Sequence, residues 1–133
     1  MLKLNTASFV PFYEQIKKQI KSKISLGELK SGDLLPSIRD LATELLINPN
    51  TVARAYRELE KDGFISTRKG KGCFVSEDSS ALIEKERTEL LNQIFDEAIN
   101  EAKRFNLSKE GMKKIFDQRL MLLKKEINKG GGK

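Results

Sequence analysis

A mostly helical α+β chain is the fold class this sequence predicts: a three-helix head closed by a short hairpin, then a pair of long helices. Three observations carry it. Apolar residues recur at helical spacing through residues 11–62. The pattern then shortens to strand-like pieces around Arg68-Lys69-Gly70-Lys71-Gly72. Past a polar stretch at 76–80 the helical spacing returns and runs to Ile127. These shifts set the expected domains at 1–76 and 77–133.

The first helix is expected over residues 11–26. Phe12 or Tyr13, Ile16, Ile20 and Ile24 line one face, with Lys17, Lys18, Lys21 and Lys23 on the other sides. Those lysines read equally well as a solvated face or as phosphate contacts. Gly27 and Lys30-Ser31-Gly32-Asp33 end the helix. The second helix starts at Pro36-Ser37, where Ser37 and Asp40 have capping-box spacing, and runs to about Leu46. Ile38, Leu41, Ala42 and Leu45 form its core face. The third starts at Asn48-Pro49, a preferred cap followed by a residue whose missing N–H costs nothing there, and stops at Asp62-Gly63. So short a link between the second and third helices forces a sharp crossing, as in a helix-turn-helix.

At 100° per residue, Val52, Ala55, Tyr56 and Leu59 share one side of the third helix. Asn50, Arg54, Arg57 and Lys61 share the opposite side, within about 60° of each other. That stripe is one amide and three cations, with Glu58 and Glu60 on its flanks. Asn reads adenine bidentately and Arg reads guanine, and both also contact phosphate. The hairpin Phe64–Thr67 and Cys73–Val75 carries Arg68, Lys69 and Lys71 around Gly70 at its tip, a wing suited to phosphate or the minor groove. Leu2-Lys3-Leu4 alternates and is a candidate third strand.

Charge agrees with a polyanionic partner. The net charge is +6, of which residues 1–76 hold +5. The chain has no histidine, one cysteine (Cys73, read as a small apolar filler) and no recognisable catalytic constellation. Neither an enzyme, a metal site nor a cofactor is expected. No run of 18 apolar residues marks a membrane span, and the N-terminus lacks a signal peptide's apolar core, so a cytoplasmic protein is expected.

Two long helices are expected over about 80–105 and from a Ser108 cap onward. Their wide apolar faces cannot be hidden by packing on each other alone. A second copy of the chain is the simplest cover, with Leu90, Leu91, Ile94, Phe95, Ala98, Ile99, Ala102, Phe116, Leu120 and Leu123 as the expected dimer interface. The tail Lys129-Gly-Gly-Gly-Lys133 is expected to be disordered.

Residues 9–76 resemble the GntR family of bacterial transcription regulators. The likeness rests on Leu35-Pro36-Ser37-Ile38-Arg39-Asp40-Leu41-Ala42, Thr51-Val52, Leu59, Gly63 and Gly70-x-Gly72-x-Phe74-Val75. Asn48-Pro49-Asn50-Thr51-Val52, Ala55-Tyr56 and the short helical tail look like its YtrA-like subfamily. The resemblance implies a homodimeric repressor, often of its own operon beside ABC transporter genes; the two-fold axis of such a dimer in turn predicts an inverted-repeat operator in double-stranded DNA. It implies DNA contacts from Arg39, from the turn Asn48–Thr51, and from Lys69 and Gly70 at the wing tip. Pro49 and Ala53 stand where many members have arginine, and Arg54 is the candidate to take over. The other reading of the same residues is a dimeric interaction module whose tail binds another protein, with DNA binding secondary. No polar group marks an effector pocket.

Overall fold

The computed structural model describes residues 1–77 and 80–131. Helix α1 spans Phe12–Ser25, α2 Ile38–Leu45, α3 Pro49–Lys61; strands β1 (Ile65–Arg68) and β2 (Gly72–Val75) follow, then α4 (Ser80–Lys103) and α5 (Lys109–Gly131). The chain divides into two compact units, Met1–Leu90 and a second beginning at Leu91. The mostly helical class with a small two-stranded sheet is as the sequence predicts.

Capping side chains start the helices where expected. The Ser37 hydroxyl accepts from the Asp40 N–H at 3.0 Å, and the Asn48 side-chain oxygen accepts from the Asn50 N–H at 2.8 Å. Each removes one of the orphan donors of a helix N-terminus. Pro11 precedes α1 as its cap residue. Leu46 ends α2 in the left-handed region at φ 57°, without the usual glycine.

The core of the first unit forms where α1, α2 and α3 meet the hairpin. Ile16, Ile20, Leu41, Val52, Leu59 and Val75 are fully buried. Ile38 and Leu45, expected on the core face of α2, are only half-buried at its edge. Tyr56 is buried with its hydroxyl donating to the Pro36 carbonyl at 2.7 Å, which ties α3 to the start of α2. Burial pushes its phenol pKa well up, so it stays a neutral donor.

β1 and β2 are antiparallel, with Ile65 opposite Val75 and Arg68 opposite Gly72. The turn closes with the Lys71 N–H donating to the Arg68 carbonyl at 2.9 Å. Gly70, at φ 76°, takes the left-handed conformation that this tip requires. The hairpin's third partner is not the N-terminus. Leu34 bridges Phe74, flanked by Leu35 N–H to Cys73 carbonyl at 2.8 Å and Val75 N–H to Asp33 carbonyl at 2.9 Å. Leu2-Lys3-Leu4 forms no strand. Leu2 drops into the core instead, and Gln19 brackets the Lys3 backbone on both sides, at 3.0 and 2.6 Å.

The first unit continues past residue 76. Leu82 and Ile83 on α4 pack against its core, and the Arg87 Nε donates to the Ser25 carbonyl at 2.7 Å. Gly63, at φ 89°, terminates α3 where a Cβ would meet the Leu82 side chain at 3.0 Å. Position 63 therefore favours glycine for its backbone angle, and a Cβ there would also push the Leu82 methyl aside by a few tenths of an ångström.

In the second unit, Asn106 turns the chain at φ 58°, and the Ser108 hydroxyl caps α5 by accepting from the Gly111 N–H at 3.0 Å. Phe95 and Phe116 meet edge to face at 6.0 Å. Between the helices lies an apolar groove of about 810 Å³, lined by Phe95, Ile99, Met112 and Phe116 together with Lys103, Lys109, Lys113 and Arg119. α5 continues through Gly131, where the glycine run predicts disorder. Glycine in a helix costs about 1 kcal/mol relative to alanine but does not forbid the hydrogen-bond ladder. Gly132 and Lys133 lie outside the described residues.

Candidate nucleic-acid interface

α3 has two unlike faces. Val52, Ala55, Tyr56 and Leu59 are buried, and Asn50, Arg54, Arg57 and Lys61 are exposed. Arg57 and Lys61 carry no ion pair among the described residues, so their charges stand open to solvent. Arg39 is exposed on the first turn of α2. Asn48 has its side-chain oxygen committed to the cap, and Thr51 is half-buried behind it. All of these belong to the first unit.

The hairpin sorts its three cations. Lys69 and Lys71 lie exposed at the tip, and their side chains form no ion pair among the described residues. Arg68 is held back, its guanidinium 4.6 Å from the centre of the Phe74 ring and 3.5 Å from the Glu77 carboxylate. The Glu60 carboxylate accepts from the Thr67 N–H at 3.0 Å and anchors the hairpin to α3.

A second group of residues at the site does not stand out in the sequence. Glu58, placed only on the flank of the stripe, accepts Lys17 Nζ at 2.8 Å on one oxygen and Arg54 Nε at 3.1 Å on the other. The Arg54 guanidinium lies over the Tyr13 ring, 3.6 Å from its centre. Hydrogen bonding from Lys17, then from Arg54, holds the Glu58 carboxyl below its usual range. The same bond outweighs desolvation and raises Lys17. One turn on, Lys21 sits 5.1 Å from the centre of the Phe64 ring and 3.9 Å from the Asp62 carboxylate. These steps of four along both helices show α1 and α3 running side by side in the same direction. Lys17 and Lys21 therefore face inward to α3 and its end, neither a free solvated face nor free phosphate contacts. The Arg54/Glu58 spacing is a visible i,i+4 pair; its link to Tyr13 and Lys17 exists only once α1 packs on α3.

Among the described residues no helix is long and apolar enough to cross a membrane, and no cluster of acidic, cysteine or histidine side chains could hold a metal.

Comparison with known proteins bears on this geometry. The family model for "Bacterial regulatory proteins, gntR family" matches residues 12–75, which takes in α1 through β2. The HTH-type transcriptional repressor YtrA of Bacillus subtilis (strain 168) is 43% identical over 95 residues, covering 71% of this chain and 73% of the relative. The crystal structure of a transcriptional regulator from Oenococcus oeni superposes with a TM-score of 0.73 at 33% identity, over 88% of this chain and 97% of that one. The AraR DNA-binding domain, in a crystal structure with operator ORX1, aligns with a TM-score of 0.51 at 26% identity, over 56% of this chain and 93% of that one. The helix-turn-helix, the hairpin beyond it and these likenesses together place the chain in the GntR family of bacterial regulatory proteins, as a YtrA-like transcription regulator with a winged helix-turn-helix DNA-binding domain.

Proposed function

We infer that the protein is a homodimeric repressor that binds an inverted-repeat operator, its own promoter being the first candidate, in an operon that the subfamily likeness associates with ABC transporter genes. The observation that carries the reading is the outward face of α3: Asn50, Arg57 and Lys61 exposed opposite a fully buried face, with Arg54 beside them. In this reading α3 lies in the major groove. Asn50, Arg54 and Arg57 reach base edges, and Lys61, Arg39, Asn48 and Thr51 hold phosphates. Lys69, Gly70 and Lys71 clamp the backbone from the wing, with Arg68 behind them.

The second unit supplies the partner surface. Leu91, Ile94, Phe95, Ile99, Phe116, Leu120 and Leu123 are exposed within one chain, Ala98 lies among them, Ala102 is half-buried, and so is Leu90, the last residue of the first unit. So much apolar area on a small unit marks an interaction surface. A two-fold dimer covers it and spaces two heads on one face of the duplex. Repressor action is supported by the likeness to the Bacillus transcriptional repressor YtrA.

A gel shift on the chain's own upstream DNA, with excess random-sequence competitor, tests the reading. A retarded complex that survives competitor is expected. If no such complex forms while the chain stays dimeric, the protein-interaction reading of the helical tail takes precedence. Replacing Lys69 and Lys71 by Ala is expected to leave folding unchanged and to lower the slope of log affinity against log salt by about 0.9 for each phosphate no longer neutralised. An unchanged slope would remove the wing from the DNA-binding surface.

A further inference from the structure

Arg54 does not wave freely in solvent, although its side chain is 52% exposed. It is fixed from two sides. Tyr13 supplies a platform for the guanidinium face, and Glu58 takes Nε, the inner nitrogen of the fork. Glu58 is itself immobilised, because its second oxygen holds Lys17, whose side chain is only 13% exposed and lies 3.7 Å from Glu14. What this leaves for a ligand is the outer Nη1–Nη2 edge. Two parallel N–H donors on that edge match the O6 and N7 acceptors of guanine in the major groove. A lysine, or an arginine free to rotate, could meet phosphates equally well and would carry less sequence information.

We propose that Glu58 is a positioning residue for base recognition: with Tyr13 it locks Arg54 so that the outer edge of its fork is offered to one guanine per half-site. The proposal rests on the reading of α3 as the recognition helix. Its chemistry separates two roles that a carboxylate at this place could have. As a mere negative charge, Glu58 would repel every duplex alike, and its removal would tighten all binding. As a brace, it holds the one geometry that distinguishes guanine, and its removal erodes discrimination even where overall affinity rises.

The experiment compares a duplex carrying the chain's own promoter with a random-sequence duplex of equal length. It uses the full-length wild type, Glu58→Gln, Arg54→Ala and the double variant, with thermal melts to verify folding. Glu58→Gln is expected to lower the promoter-to-random affinity ratio about 10-fold or more, the discrimination that one bidentate arginine–guanine pairing supplies. Arg54→Ala should lower it at least as far, and adding Glu58→Gln to Arg54→Ala should change the ratio no further. Substituting each promoter guanine in turn should show one position per half-site at which the wild type loses affinity and Glu58→Gln does not. If Glu58→Gln fails to fold, Tyr13→Leu removes the other side of the brace and should give the same fall in ratio. An unchanged ratio in a folded variant overturns the proposal, even if affinity for both duplexes rises together. A wild type that does not discriminate between the duplexes overturns the recognition-helix reading as well, whereas a discriminating wild type with an indifferent Glu58→Gln overturns only the brace.

Discussion

A chain ending at Leu90 is expected to bind the operator about 10²–10⁴-fold more weakly than the full chain, while its first unit stays folded. One head offers one recognition helix and one wing, too small a surface for tight binding alone. Two tethered heads engage in sequence, the second at an effective concentration near the millimolar range, and avidity multiplies accordingly. The end point matters. Cutting at 76 would strip Leu82 and Ile83 from the core and the Arg87 bond from Ser25, so weaker binding could reflect a damaged fold. Cutting at Leu90 keeps all three. Ile94→Asp in the full chain is the companion test, because Ile94 is exposed within one chain and a charge there is costly only when a partner covers it. Both changes should convert a dimer into a monomer by light scattering. Equal operator affinity for the shortened and full chains would sink the role assigned to the tail.

The second large effect divides the two faces of α3. Leu59 is fully buried, and Leu59→Ala is expected to cost about 2–5 kcal/mol of stability through forfeited transfer energy plus the cavity left behind. For a unit of this size that lowers the melting temperature by roughly 8 °C or more. Arg57, two positions earlier and exposed, should behave oppositely. Arg57→Ala should move the melt by no more than about 0.5 kcal/mol equivalent, yet weaken operator binding by about 1–3 kcal/mol if it reads a base. Thermal melts beside gel shifts on both variants decide the matter. A destabilised Arg57→Ala with intact binding would mean that the faces have been assigned the wrong way round.

Both faces of α3 are legible in the sequence because the signals are local. A cap at Asn48, a proline after it and a 3.6-residue period suffice to orient the helix, and the Ser37 cap does the same for α2. The wing is legible from Gly70 and the cations beside it. What escapes depends on which helix packs against which. Glu58 stands on the flank of the stripe in any helical projection, and nothing in residues 49–61 shows that Tyr13 and Lys17 will arrive beside it. Leu2 alternates with Leu4 as a strand would, but the available sheet edge pairs with Leu34 instead. The glycines near the C-terminus mark a weak helix former, and α5 continues through Gly131. The extent of the first unit is likewise a packing fact: the residues that extend it, Leu82, Ile83 and Arg87, are spaced like the rest of α4.

Gly63 restricts how this protein can drift. Any other residue adds a Cβ, and that atom meets both an unfavourable backbone angle and the Leu82 side chain. Point mutation offers no stepping stone at this codon, because no substitution is smaller than alanine. Gly70 differs. Its φ is also positive, but no atom lies within 4 Å of where its Cβ would be, so asparagine can replace it at modest strain. In a saturation library selected for operator binding, position 63 should be depleted of alternatives more strongly than position 70, and position 70 should retain asparagine but not aspartate, whose charge would face the phosphates. Leu82→Ala should partly relieve position 63 for alanine by removing this contact and leaving only the backbone angle against it, so that what residue 63 tolerates depends on residue 82.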